Sequence, residues 1–89
     1  MRELLLIPLE DVVVFPNMTV TLSVDVGDET EVLLVPRHDG SHAAVGTVAG
    51  VGDRVRLPGG AGAVTLEGLH RALIGAARTD TAGRLRAQI

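Results

Sequence analysis

The chain has 89 residues and a mass of 9.3 kDa, with 46% hydrophobic residues, 21% charged residues and a formal net charge of −3. One small domain is all this length allows, burying about 63% of its extended-chain surface, and the composition excludes a disordered chain. Cys is absent and all eight basic residues are Arg, so this sequence holds no disulfide, thiolate nucleophile, Cys-based zinc site, nucleotide-binding lysine, Schiff base or Ser-Lys dyad.

The first element is the apolar run from Leu4 to Leu9, interrupted by Pro8 and followed at once by Glu10 and Asp11. It is too short for a signal peptide or a membrane span, and with no Cys the cytoplasm is the expected location. Leu4 to Ile7 and Val12 to Phe15 read as short strands or extended edges, each stopped by a proline that cannot donate to a ladder. From Thr19 to Val26 the pattern alternates strictly, with Val20, Leu22, Val24 and Val26 on one face, which predicts a strand. Val32 to Val35 is a buried-type strand ended by Pro36. The polar stretch from Arg37 to His42 is a loop with a tight turn at Asp39-Gly40.

Alternation resumes from Val45 to Leu57, where Val51, Val55 and Leu57 oppose Gly52, Arg54 and Arg56. The stretch Pro58-Gly59-Gly60-Ala61-Gly62 then predicts a hairpin into Ala63 to Leu66. Between Leu66 and Arg78 the periodicity slightly favours a helix, through Leu66, Leu69, His70 and Leu73, over a strand buried on both faces. Arg84 to Ile89 alternates again and closes the domain as a strand. Some six short strands with little helix predict a small closed or partly closed antiparallel barrel.

Few residues carry recognisable chemistry. His38 and His42 stand four apart, but Gly40 and Ser41 between them mark a solvated loop rather than a metal site. Ser41 beside His42 is not a nucleophile arrangement. The glycines of 59–62 lack the Gly-Lys ending of a phosphate loop, and Gly50-Val51-Gly52 has Val55 where a dinucleotide fingerprint needs its third glycine. Asp25, Asp28, Glu29 and Glu31 form an acidic cluster without calcium-loop spacing. Phe15, Pro16 and Met18 form the candidate binding surface, a loop where a ring and a flexible thioether can contact an extended peptide. An isoelectric point near 5.4 and a single aromatic residue argue against nucleic acid. Only Arg54, Arg56, Arg84 and Arg86, on outward strand faces, speak for it.

The opening Leu6-Ile7-Pro8-Leu9-Glu10-Asp11-Val12-Val13-Val14-Phe15-Pro16-Asn17-Met18 resembles the start of the Lon protease N-terminal domain. Three later blocks resemble that domain in the right order: residues 32–37, Ala44-Val45-Gly46-Thr47-Val48-Ala49, and Leu66-Glu67-Gly68-Leu69-His70-Arg71-Ala72-Leu73-Ile74. Together they cover nearly the whole chain. The resemblance implies a mainly β fold, a small six-stranded antiparallel PUA-like pseudo-barrel with little helix, in which 67–74 is a strand. That reading replaces the helical one. The family-motif positions Pro8, Leu9, Asp11, Gly46, Thr47, Val48, Glu67, Gly68 and Arg71 are then mostly structural.

The function it implies is non-catalytic and needs no cofactor: a substrate-recognition domain that captures unfolded or degron-bearing proteins through Phe15, Pro16 and Met18. In that family an AAA+ ATPase module and a Ser-Lys protease module do the unfolding and cleavage. Both modules, and the helical half of the N-terminal region, are expected to lie outside residues 1–89, whether this is a protease fragment or a free-standing domain. The family helix between the strands near Val26 and Val32 is reduced here to residues 27–31. Two rival expectations are a scaffold domain making only subunit contacts and a PUA-like RNA-binding domain.

Overall fold

The two strongest apolar runs, residues 4–7 and 32–35, become neighbouring strands in the middle of the molecule. The computed structural model describes residues 3–10, 13–24, 26–56, 58–60 and 62–89, so expectations that fell on Asp11, Val12, Asp25, Leu57 and Ala61 lie outside the described residues. Among the described residues there are eight strands: β1 (Glu3–Glu10), β2 (Thr19–Leu22), β3 (Glu31–His38), β4 (Ser41–His42), β5 (Val45–Arg56), β6 (Gly62–Leu73), β7 (Ala77–Thr79) and β8 (Leu85–Gln88). They form one sheet in the order β2-β6-β5-β3-β1-β8-β7, with β4 paired to β3.

The mainly β fold is as expected, but two details of the pseudo-barrel change. β1 and β3 run parallel, from Leu5 opposite Val32 to Glu10 opposite Arg37, so the sheet is mixed rather than antiparallel. The extra strands beyond six are the two short pieces, β4 and β7.

Both faces of the central strands are covered, which explains runs of consecutive apolar residues where one-sided burial would give alternation. Leu5, Ile7, Leu9, Val32, Leu34, Ala49, Val64 and Leu66 meet on one face, joined by Val14 and Val26 and flanked by Val20, Leu22 and Val24. Leu4, Leu6, Leu33, Val35, Val48 and Ala87 meet on the other, flanked by Ala72, Ile74, Leu85 and Ile89. Burying a side chain such as Leu33 or Leu34 contributes about 1.5–3 kcal/mol.

Neither internal proline stops its strand. β8 reaches along β1 only to Leu5, so beyond that point Pro8 has no ladder bond to lose on that side. Pro36 takes part through its carbonyl, which accepts the Ala43 N–H at 2.9 Å. β3 therefore continues into a hairpin with β4, and the segment expected as a loop is paired, Arg37 to His42 and His38 to Ser41. Asp39 and Gly40 do form the tight turn, with φ of 50° and 81°. Both angles are positive, as a two-residue turn matched to strand twist requires.

The strand reading of 67–74 is correct as far as Leu73, and the helical periodicity has a specific origin. β6 pairs with β5 through Gly68 to Ala49 and His70 to Val48, leaving Leu69 as an extra residue. This bulge moves the even-numbered positions from one core to the other: Leu66 packs in the first, Ala72 and Ile74 against the second. One inserted residue in a period of two imitates a spacing of three and four.

Candidate functional site

The candidate surface begins at Val13 to Phe15, in the segment expected as a short strand or an extended edge. Residues 13–15 are not in a strand; instead Phe15-Pro16-Asn17-Met18 turns, with the Met18 N–H donating to the Phe15 carbonyl at 3.1 Å. Proline in the second position and Asn17 at φ 71° in the third are the requirements of a type II turn.

Three attachments hold this turn on the sheet. The Asn17 N–H donates to the Gly68 carbonyl and the Gly68 N–H to the Met18 carbonyl, both at 2.8 Å, which extends the β2–β6 pairing past Thr19. The buried Thr47 hydroxyl donates to the Val14 carbonyl at 2.6 Å. The Arg71 guanidinium lies 5.0 Å from the centre of the Phe15 ring, within range for a cation–π contact. Gly68 is required by space: a Cβ there would collide with the Phe15 carbonyl oxygen.

The apolar side chains themselves face water. Phe15 is 50% exposed and Met18 39%, with Val13 and Leu69 also exposed, while Pro16 is half-buried. The Met18 sulfur accepts the Phe15 N–H at 3.3 Å, folding the thioether back against the turn.

Four of the nine motif positions lie around this turn. Thr47, Gly68 and Arg71 touch it directly, and Glu67 pairs with Thr19 at its far end. Leu9 and Val48 are core residues. Gly46 lies where a Cβ would stand 2.9 Å from the Leu34 carbonyl oxygen. Pro8 sits opposite Val35 in the parallel pair, and Asp11 is among the residues not described. Leu69 was missed as an exposed neighbour, because only the bulge turns it outward.

The remaining expectations sort clearly. Arg84 and Arg86 are not outward-facing. Arg86 has a largely buried side chain and bridges Glu29 at 2.5 Å and Asp80 at 2.8 Å, while Arg84 lies 3.8 Å from Asp80. Arg54 donates to the Gly27 carbonyl at 2.6 Å. This removes much of the cationic stripe that favoured nucleic acid, and gives part of the acidic cluster, Glu29, a structural partner. No group of three potential metal-ligating side chains is present among the described residues. No helix of the described residues is long and apolar enough to cross a membrane.

A cleft of about 550 Å³ lies elsewhere, with Ser23, Val24, Val26 and Gly27 on one side and the open end of the β5–β6 hairpin on the other.

This strand arrangement is the fold of the Lon N-terminal domain. It superposes on the N-terminal domain of a Mycobacterium avium complex Lon protease with a TM-score of 0.82 and 22% identity, over 98% of this chain and 53% of that one. A Lon N-terminal domain protein from Xanthomonas campestris gives 0.80 and 22%, over 99% and 58%. In sequence the chain is homologous to Lon proteases over most of its length: 37% identical to that of Salinispora arenicola over 87 residues, and 33% identical to that of Frankia alni over 115. Those matches take in 84% and 92% of this chain but only 11% and 13% of the proteases, so the chain spans about an eighth of their length. The Frankia match is longer than the 89 residues available, so that protease carries residues inside the matched region that have no counterpart here. The matched domain is a non-catalytic part of Lon. No protein-family model matches the chain.

Proposed function

We propose that the domain recognises proteins destined for ATP-dependent proteolysis, holding exposed apolar stretches of unfolded or degron-bearing clients against Phe15, Pro16 and Met18. The observation that carries this reading is the half-exposed Phe15 ring on a backbone tied at Gly68 and Thr47. A large ring held in place while facing water offers contact area at little further entropic cost, and Met18 beside it adapts its shape to varied side chains. One such patch is smaller than a stable interface, so each contact is weak. A hexameric protease presenting several copies gains by avidity.

The test is a fluorescence-anisotropy titration of the domain against a permanently unfolded model protein. Saturable binding that weakens at least tenfold in the Phe15→Ala, Met18→Ala double variant supports the reading. No binding up to high micromolar concentration by the folded wild-type domain overturns it in favour of a scaffold role. Binding lost on charge reversal of Arg54 and Arg56, but unaffected by the double variant, overturns the choice of patch.

A further inference from the structure

β2 is the last strand at one end of the sheet, paired with β6 on one side and with no described strand on the other. The turn that leads into it sets the phase of its ladder. The Gly68 N–H donates to the Met18 carbonyl, so by alternation the main-chain groups of Val20 and Leu22 also face β6. The N–H and C=O groups of Thr19 and Thr21 therefore point away from the sheet, and both residues are exposed. Val20 and Leu22 turn their side chains towards the first core but are only half-buried, which leaves apolar surface along the inner side of the same edge.

Sheet edges are normally defended by charge, proline, shortness or a bulge. The other open edges among the described residues follow that rule. Beyond Leu5, β1 carries Pro8 and Glu10 on its open side. Beyond Gly50, β5 carries Asp53, Arg54 and Arg56, and beyond Gly68, β6 carries His70 and Arg71. β4 has two residues, and β7 has three with Arg78 at its centre. β2 reads Thr-Val-Thr-Leu, with no charge, no proline and an unbroken register against β6. Its length is about 13 Å, and such an edge buries far less than the roughly 800 Å² per partner of a stable dimer. A second copy joined edge to edge does not hold there; a single extended segment fits.

We infer that the free edge of β2 takes up an extended segment of an unfolded polypeptide as an added antiparallel strand. The inference deepens the client-binding reading proposed above and rests on it. An antiparallel ladder is slightly stronger than a parallel one and continues the β2–β6 pattern. The client residues opposite Thr19 and Thr21 exchange main-chain hydrogen bonds with them. Their neighbours lie against Val20 and Leu22, so aliphatic residues at alternate positions are preferred. What is recognised is a main chain that has not folded: a native protein has used these groups in its own ladders, whereas an unfolded stretch without proline still offers them. Thr19 follows Met18 directly, so one client segment reaches both the Phe15 turn and the strand.

Fluorescence anisotropy tests it with a labelled decapeptide, acetylated and amidated, in which valine and threonine alternate through the centre. With the valines on Val20 and Leu22, the threonine nitrogens face β2 and the valine nitrogens point away. N-methylation of the threonines weakens binding at least tenfold; N-methylation of the valines leaves it within twofold. Thr21→Pro removes an outward N–H and none of the β2–β6 bonds. It weakens binding of the peptide and of a permanently unfolded protein about tenfold, with an unchanged circular dichroism spectrum. Equal binding of the two methylated peptides, full binding by folded Thr21→Pro, or no binding at millimolar peptide overturns the assignment. The reverse order of the methylated peptides overturns the antiparallel placement in favour of a parallel one. A dimer in sedimentation that excludes the peptide overturns it in favour of a second copy. Unfolded protein that binds Thr21→Pro fully, but not the Phe15→Ala, Met18→Ala variant, overturns the edge and leaves the patch standing. Loss in neither variant overturns both.

Discussion

Gly68 passes so close to the carbonyl of Phe15 that the α-carbon of one and the oxygen of the other leave no room for a methyl group. The atoms that block it are backbone, and the backbone is fixed by the two hydrogen bonds between Gly68 and residues 17 and 18. Gly68→Ala therefore forces the turn off the sheet, with a cost of about 1–3 kcal/mol in urea unfolding. It also releases the amide protons of Asn17 and of residue 68 to hydrogen exchange. Unchanged protection of those amides in a stable Gly68→Ala protein contradicts this account.

Thr47 anchors the same turn from β5. Its hydroxyl is the partner of the Val14 carbonyl in a buried setting, so Thr47→Val keeps the shape and removes the bond. An unpaired buried carbonyl costs about 1–3 kcal/mol, whereas Thr47→Ser keeps the donor and retains most of the stability. Chemical denaturation of the pair distinguishes the hydrogen bond from the methyl group.

Phe15 is the one phenylalanine in the chain, so biosynthetic fluorophenylalanine yields a single ¹⁹F resonance reporting on this surface alone. Arg71→Ala removes the guanidinium from the ring face, with a small stability loss of about 0.5–1 kcal/mol. The expected result is a shifted and narrower ¹⁹F line, the ring having lost its cover. An identical line shape in the variant means that the contact does not hold the ring in solution.

Acid weakens the opposite side of the domain first. The Asp80 carboxyl accepts the Arg84 N–H, the Arg86 guanidinium and the Ala82 N–H, which hold it at about 2 instead of 3.8. The hydrogen bond from Arg78 lowers Glu3 in the same direction. A carboxyl held below its unfolded value stabilises the fold above that value and loses the contribution as pH falls towards the folded one. Urea midpoints are therefore steady near neutrality and drop between about pH 4 and 2. Asp80→Asn starts lower and falls less steeply over that interval.

The strands were legible wherever a short-range pattern determines them: the alternation that begins at Thr19, the glycines after Pro58, the Asp39-Gly40 corner; the alternation runs on to Val26, but the strand ends at Leu22. The parallel pairing of β1 with β3 was not, because no local pattern encodes which distant run a buried strand will meet. Periodicity misread 66–78 because the bulge at Leu69 inserts a residue into the repeat, and only the family resemblance corrected it. For the candidate site, residue types pointed to Phe15 and Met18. Their support by Thr47, Gly68 and Arg71 depends on the β5–β6 register. Arg84 and Arg86 looked solvent-facing by parity alone, and are turned to structural use by Asp80 and Glu29, the latter 57 positions away from Arg86.

The place of β1 between β3 and β8 sets a schedule for biosynthesis. Its first neighbour is complete by His38, but the strand that lies opposite Glu3, Leu4 and Leu5 ends at Gln88. At 5–20 residues per second, translation leaves that edge of a leucine-rich strand open for about 4–17 s. During the wait the edge is a template for pairing with any other nascent chain. Pro8, which has no N–H to offer, and the carboxylates of Glu3 and Glu10 at either end of β1 make it a poor one.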